Sequence, residues 1–552
     1  MVNKLKKKLD FWVVSSIVVA VVLGIFLAYP LFSLLIRAFR DSGTGAVTMA
    51  NFVKFFSKKY YFKGLIKSLN ISVIVTIFST LIGGPLAYVM SSYKFKGKRA
   101  LDIMIIVSLL SPPFIGAYSW VMLLGRSGLL SKLIAALGIT PPTIYGVGGI
   151  IFVLVLKLYP FIYIYVKGAL QKIDASLIEA SESLGCGQIR KIFTVVLPLI
   201  LPTLLAGMLI VFMTAIADFG TPMVLGEGIN LLATMVYTEY INEIGGNANF
   251  SAAIAVIMVV VTLILFIFQN VVVNRLSFTM SALKPMQPKE FKKRSVSVAC
   301  HAVAWLVAIV SMIPNIVVLI TSFLKTEGKM FRQGFSLESY KKVFSTLGRP
   351  VVNTYLFGII ALLIIVGLSI IISYLSTRKK SKITAFIDTI TMFPYILPGA
   401  VLGLTLLMAF NKPPFSLSGT AAIIILAFVI RRMPYTLRSS AAILHQISPS
   451  IEEASISLGC NPVKTFFKIT VRMMMPGVLS GAVLSWVTII NELAASFMLY
   501  SAKTTTMSIT VYQQIIRMEF GTAGAVATIL TLTTVISLMI FFKVTGNTEV
   551  NI

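Results

Sequence analysis

The chain has 552 residues, of which 57% are hydrophobic and 12% charged. A soluble globule carries about a quarter charged residues, so a water-soluble enzyme or binding module is excluded. The formal net charge of +29 does not point to nucleic acid, because the Lys and Arg residues sit in short connections beside apolar runs, where membrane orientation requires them.

Runs of about 20 apolar residues, enough to cross roughly 30 Å of hydrocarbon as helix, predict about twelve spans. They are 11 to 36, 65 to 90, 101 to 124, 147 to 169, 196 to 217, 251 to 273, 299 to 323, 352 to 376, 386 to 409, 419 to 441, 475 to 499 and 521 to 542. The first follows MVNKLKKKLD like the core of a signal peptide. Its apolar run is too long and no small-residue cleavage site follows, so it reads as an uncleaved span.

The polar stretch NRLSFTMSALKPMQPKEFKKRS, beginning at Asn274, divides six spans from six. The expected organisation is a first half over 1–273, a cytoplasmic linker over 274–297 and a second half over 298–552. The fold class is an all-α polytopic membrane protein built from two parallel six-helix repeats. Lys4, Lys6, Lys7 and Lys8, then Lys94, Lys96, Lys98 and Arg99, the linker, and Arg378, Lys379, Lys380 and Lys382 all fall on one side. That side is cytoplasmic, which places both termini inside. Arg40, Lys54, Lys58, Lys59 and Lys63 fall on the outside against this rule, in a long loop where the rule counts for less.

Cys186, Cys300 and Cys460 show no metal-ligand spacing, and His301 and His445 are the only histidines. Neither a disulfide framework nor a histidine metal site is expected.

The repeat is most explicit in two polar segments. EASESLGCGQIRKIFTVVLP runs from Glu179 to Pro198, and EASISLGCNPVKTFFKITVR runs from Glu453 to Arg472, 274 positions later. At the same offset Lys157, Tyr159 and Pro160 match Arg431, Met433 and Pro434, and Asp218 matches Glu492. Upstream the offset becomes 286, matching Tyr88 to Tyr374 and Asp102 to Asp388. An even number of spans per half makes the copies parallel, related by an axis along the membrane normal.

Each segment predicts a short helix, a glycine turn and a second short helix leading into the next span. In the first copy Asp174 caps and Gly185 turns. In the second Ser448 or Ser450 caps, Pro449 or Ile451 starts the helix, Gly459 turns it, and Asn461 and Pro462 open the next. A short cytoplasmic helix, polar and small on one side, is suited to docking in a groove of another protein.

Glu179, Ala180, Ser181, Gly185, Val195, Leu197 and Pro198, with Glu453, Ala454, Ser455, Gly459, Ile469 and Val471, resemble the signature loop of permease subunits in binding-protein-dependent ABC importers. Arg472 departs from the proline of that pattern. The resemblance implies a type I ABC importer permease fold in a bacterial cytoplasmic membrane. It implies coupling loops at 171–198 and 445–472 seated in two copies of an ATPase subunit, a substrate-binding protein outside, and alternating access between the halves. The chain has no G-x-x-x-x-G-K-[ST] loop. It is therefore expected to be no enzyme and to bind no cofactor, with ATP and Mg used by the partner.

A fused chain with ADFGTPMVLGEG after the fifth span and NELAASFMLYSAKTTTMSITVY after the eleventh is most similar to the ferric iron group. Its broader relatives carry thiosulfate, phosphonates such as 2-aminoethylphosphonate, or polyamines. Asp218, Asn491 and Glu492 near the outer ends of spans five and eleven are candidates for a path that receives a cation. Lys157 and Arg431, within spans four and ten, would instead suit an anion. Helix capping, snorkelling or mutual pairing are the alternatives for all of them. A secondary transporter shares the architecture but has no use for two matched docking loops. A membrane enzyme would need a histidine cluster, paired carboxylates or a nucleophile motif.

Overall fold

A computed structural model of the chain describes residues 10–109, 111–112, 114–241, 246–276, 287–291, 293–327 and 330–545. Among these residues nine helices are long and apolar enough to cross a membrane. They are Phe11–Ala38, Lys59–Ser92, Val147–Leu170, Gln188–Ile216, Ala248–Gln269, Arg294–Phe323, Gly348–Arg378, Pro462–Ile490 and Phe520–Ile540. A tenth candidate is the pair Lys382–Ile396 and Gly399–Ala409, bent by 117°.

The remaining expected spans differ for physical reasons. The run 101 to 124 is two helices, Lys98–Leu109 and Ile115–Leu124, with Pro112 between them and Phe114 at φ 70°. Proline disfavours helical backbone in the residue before it. Leu397, just before Pro398, accordingly has φ −75° and ψ 125° at the corresponding bend of the second half. The run 419 to 441 is one helix, Ala421–Gln446, whose Arg431, Arg432 and Arg438 make it more polar than its neighbours. The linker expected to reach residue 297 gives way to helix at Arg294, and residues 277–286 of it lie outside the described residues.

Each half is built on the same trio. Lys59–Ser92 packs on Val147–Leu170 and on Leu197–Ile216; Gly348–Arg378 packs on Ala421–Gln446 and Val471–Ile490, which also pack on each other. Small residues let the backbones approach. A methyl group on Gly83 would stand 2.6 Å from the Tyr159 carbonyl, and one on Gly481 would stand 2.6 Å from Thr436 Cα.

The first helix of each half crosses to the other half. Trp12 packs tilted against Tyr374 and edge-on against Phe466, with ring centroids 4.5 and 5.0 Å away. In return Ser119 donates to the Pro314 carbonyl at 2.8 Å, and Ser111 bonds Asn315. This exchange ties the halves into one bundle. Between the fifth and sixth helices of each half lie short helices, Gly220–Leu225 with Leu232–Ile241, and Ser496–Leu499 with Met507–Ile516. An antiparallel hairpin, Leu324–Glu327 with Met330–Phe335, follows the first helix of the second half.

Candidate functional site

The two polar segments lie at matching places in the halves and close in the same way. Helix Ala175–Ser183 begins at Asp174, whose carboxylate accepts from the Ser176 N–H at 2.9 Å. It ends at Gly185, φ +77°, where the Cys186 N–H donates to the Ser181 carbonyl and the Gly185 N–H to the Glu182 carbonyl, both at 3.0 Å. Helix Ser450–Ser457 ends at Gly459, φ +87°, with Cys460 bonded to Ser455 at 3.1 Å and Gly459 to Ile456 at 2.9 Å. This paired closure needs a left-handed residue, which glycine provides without a Cβ clash.

The starts differ. Pro449 precedes the second helix with helical dihedrals, Ser450 is its first residue, and the Ser448 hydroxyl receives the Ser450 N–H at 3.4 Å. Downstream, Gln188–Lys191 and Pro462–Thr465 each pass into a π turn, Ile192–Val196 and Phe466–Thr470, before the next span. Asn461 caps its helix by accepting from Val463 N–H at 3.0 Å, whereas Gly187 has no side chain to do so. Leu197 and Pro198 open the fifth helix of the first half; Arg472 is exposed in the first turn of its counterpart.

Each loop is fastened by its own chemistry. Glu182 bonds Lys191 at 2.5 Å and Lys289, from the linker, at 2.8 Å. Ile456 and Thr465 occupy the matching positions, and there the Ser455 and Thr465 hydroxyls bond at 2.9 Å. Glu452 holds the second loop, accepting from the Tyr374 hydroxyl at 2.9 Å and pairing with Arg378 at 3.5 Å. The linker is itself docked: the Lys289 carbonyl accepts from Lys94 N–H and Lys289 N–H donates to Ser92, both at 2.9 Å, while Phe291 stacks on Tyr93 at 4.4 Å.

Hydrogen bonds first from Lys191 and then from Lys289 hold the Glu182 carboxyl down to about 2, against an ordinary 4.5. A depressed folded-state value means that the contact stabilises above the ordinary value and is lost as pH falls through the depressed one. Protection of the backbone amides across residues 287–291, taken relative to their intrinsic exchange at each pH, is therefore expected to stay constant from pH 7 to about 5 and to fall between about 4.5 and about 2. Lys289→Gln should move this loss of protection to higher pH, and an unchanged profile would dissociate the strap from Glu182.

Glu179, Ala180, Glu453 and Ala454 are exposed, while Ser181 and Ser455 are buried against their own loops. Among the large apolar side chains the most exposed are Leu184 at 88% and Leu458 at 89%, 274 positions apart. Phe193 and Phe467 are likewise exposed. A polar docking face omits these residues, although the leucine before each turn glycine stands in both copies.

The candidate path residues resolve into two ion pairs. Lys157 Nζ lies 2.7 Å from Asp218 Oδ2, and an Arg431 guanidinium nitrogen lies 2.7 Å from Glu492 Oε1. Arg432 bonds Glu492 as well. Each acid also caps the turn after it: Asp218 accepts from Thr221 N–H at 2.8 Å and Glu492 from Ala495 N–H at 3.1 Å. Asn491 is not joined to these pairs; its amide donates to the Val487 carbonyl at 3.0 Å. Among the described residues no group of three or more His, Cys, Asp or Glu is disposed to hold a metal ion.

The family model described as binding-protein-dependent transport system inner membrane component matches residues 79–278 and 365–545, spanning a loop and an ion pair in each half. The chain belongs to this family. As a permease it is similar to the ferric transport system permease protein FbpB of Actinobacillus pleuropneumoniae, 26% identical over 543 residues, covering 95% of this chain and 77% of that one. The putative ferric transport system permease protein FbpB 1 of Haemophilus influenzae is 26% identical over 512 residues, with 90% and 79% covered. The spermidine/putrescine transport system permease protein PotB of Haemophilus influenzae matches at 29% over 236 residues, 42% of this chain and 82% of that one. A solved bacterial alginate ABC transporter, in complex with alginate pentasaccharide-bound periplasmic protein, aligns at TM-score 0.43 and 19% identity, over 50% of this chain and 98% of that one.

Proposed function

We propose that this multi-pass permease carries both membrane halves of an ATP-driven importer, with loops 171–198 and 445–472 seated in two copies of an ATPase subunit. The observation that carries this reading is the pair of helices with matching glycine closures, each presenting an exposed Glu-Ala pair and, at its end, a leucine left exposed among the described residues. Unpartnered apolar side chains on an ordered helix favour a protein groove as their destination. ATP and Mg belong to the partner, the loops and both termini face the cytoplasm of a bacterial inner membrane, and a substrate-binding protein delivers cargo from outside.

The best-supported cargo is ferric iron, because relatives spanning 95% and 90% of this chain are ferric permeases by name. Lys157 with Asp218 and Arg431 with Glu492 then set paired charges beside the path, the acids just after the fifth helix of each half and the bases within the fourth, with Asn491 next to Glu492 as a neutral polar group. A polyamine reading rests on the half-length PotB match.

The test is Glu179→Arg combined with Glu453→Arg. Co-purification with the ATPase and iron uptake are both expected to fail while membrane insertion is kept; association that survives the double change would refute the coupling role. For cargo, the binding protein encoded beside this chain should be stabilised by ferric iron and not by spermidine.

A further inference from the structure

In the first half Asp102 is fully engaged. It accepts from the Tyr163 hydroxyl at 2.5 Å and from Lys167 Nζ at 2.9 Å. Its counterpart is Asp388 in helix Lys382–Ile396, but the positions matching Tyr163 and Lys167 hold Leu437 and Ala441. Both donors are lost: Leu437 is packed into the core, and Ala441 leaves the place of the lysine open.

What remains is a cleft of about 330 Å³ lined by Lys380, Asp388, Arg438 and His445, with Ser381 and Thr384. Among the described residues, the side chains of Asp388, Lys380 and His445 have no hydrogen-bond or ion-pair partner. Arg438 reaches only the Met392 sulfur, at 3.0 Å. The helix N–H groups nearby are closed by the Ser381 and Thr384 capping box, so recognition falls to side chains.

Two cations and a carboxylate, none of them engaged by an oppositely charged group among the described residues, match a ligand that is anionic at one end and a hydrogen-bond donor at the other. We propose that this cleft binds the phosphoethanolamine head of a membrane phospholipid, its phosphate on Lys380 and Arg438 and its ammonium on Asp388. Ile383 and Phe386, exposed and apolar on the same helix, offer a surface for the acyl chains and favour a lipid over the free head group. Basic pockets between helices at a membrane surface suit lipid heads on general grounds. The site is one-sided, since Lys167 and Tyr163 engage the equivalent acid in the first half. It also adjoins the second loop: Arg378, three residues after Leu375, bonds the Ile447 carbonyl and pairs with Glu452.

The test titrates the full-length purified chain in detergent with short-chain phosphatidylethanolamine, short-chain phosphatidylcholine and free phosphoethanolamine, reading thermal stability and lipid retained in native mass spectrometry. Phosphatidylethanolamine is expected to bind saturably and about tenfold more tightly than phosphatidylcholine, whose quaternary ammonium has no N–H for Asp388. Lys380→Gln with Arg438→Gln, both exposed side chains, should weaken binding by about tenfold or more. Asp388→Asn should erase the preference for ethanolamine over choline. Leu437→Tyr with Ala441→Lys should restore the first half's closed arrangement and abolish binding. Equal binding by parent and variants would overturn the site, and free phosphoethanolamine binding as tightly as the lipid would overturn the membrane source.

Discussion

Replacing Glu492 by glutamine should remove most of the folded protein from the membrane. The Glu492 side chain is 2% exposed and is shared by Arg431 and Arg432, both nearly buried. Breaking a buried ion pair from one side costs about 3–5 kcal/mol because the remaining charge stays desolvated. Here two guanidinium groups would be stranded, against a total stability of roughly 5–15 kcal/mol for a typical domain. Asp218→Asn should be milder, since it strands one lysine whose side chain is 31% exposed and can move its ammonium toward water. Arg432→Leu should be milder still, because leucine is what the first half has at Leu158 and the Arg431 to Glu492 contact survives. Thermal unfolding of the purified variants orders the three; equal losses would contradict an explanation based on burial.

Leu184→Asp combined with Leu458→Asp is expected to abolish ATPase co-purification with no change in the melting temperature of the isolated chain. Side chains 88% and 89% exposed support nothing within the fold, so surface-like stability effects within about 0.5 kcal/mol are expected. At a partner groove each leucine would contribute about 1.5–3 kcal/mol of burial. Losing two, with carboxylates left to desolvate, weakens association by at least about a hundredfold. Unchanged association would place both leucines outside the contact.

Much of this was legible because the chain contains two copies of itself. The turn glycines Gly185 and Gly459, and the caps Asp174 and Asn461, follow from local backbone chemistry that a short stretch of sequence contains in full. The charges were legible as residues and ambiguous as partners. Yet Lys157 to Asp218 and Arg431 to Glu492 are both 61 positions apart, so an equal spacing in the two copies already favoured mutual pairing over an open acidic or basic path. Changes of direction were not legible: hydropathy averages across Pro112 and Pro398 and registers one span where the backbone bends. The π turns leave no compositional trace, since the packing around them decides one residue more or less per turn. Leu184 and Leu458 were misleading by type, because an apolar residue on a short helix is ordinarily turned inward, and only the folded chain shows them exposed.

Glu182 with Lys191 in one loop, and Ile456 with Thr465 in the other, are encoded by one gene. In an assembly of two identical half-length chains, every substitution would strike both docking faces at once. Here a single codon change alters one face and spares the other, so each variant carries its own internal control. The two faces are equally free to drift apart over generations, each under its own selection, without a second gene having to follow.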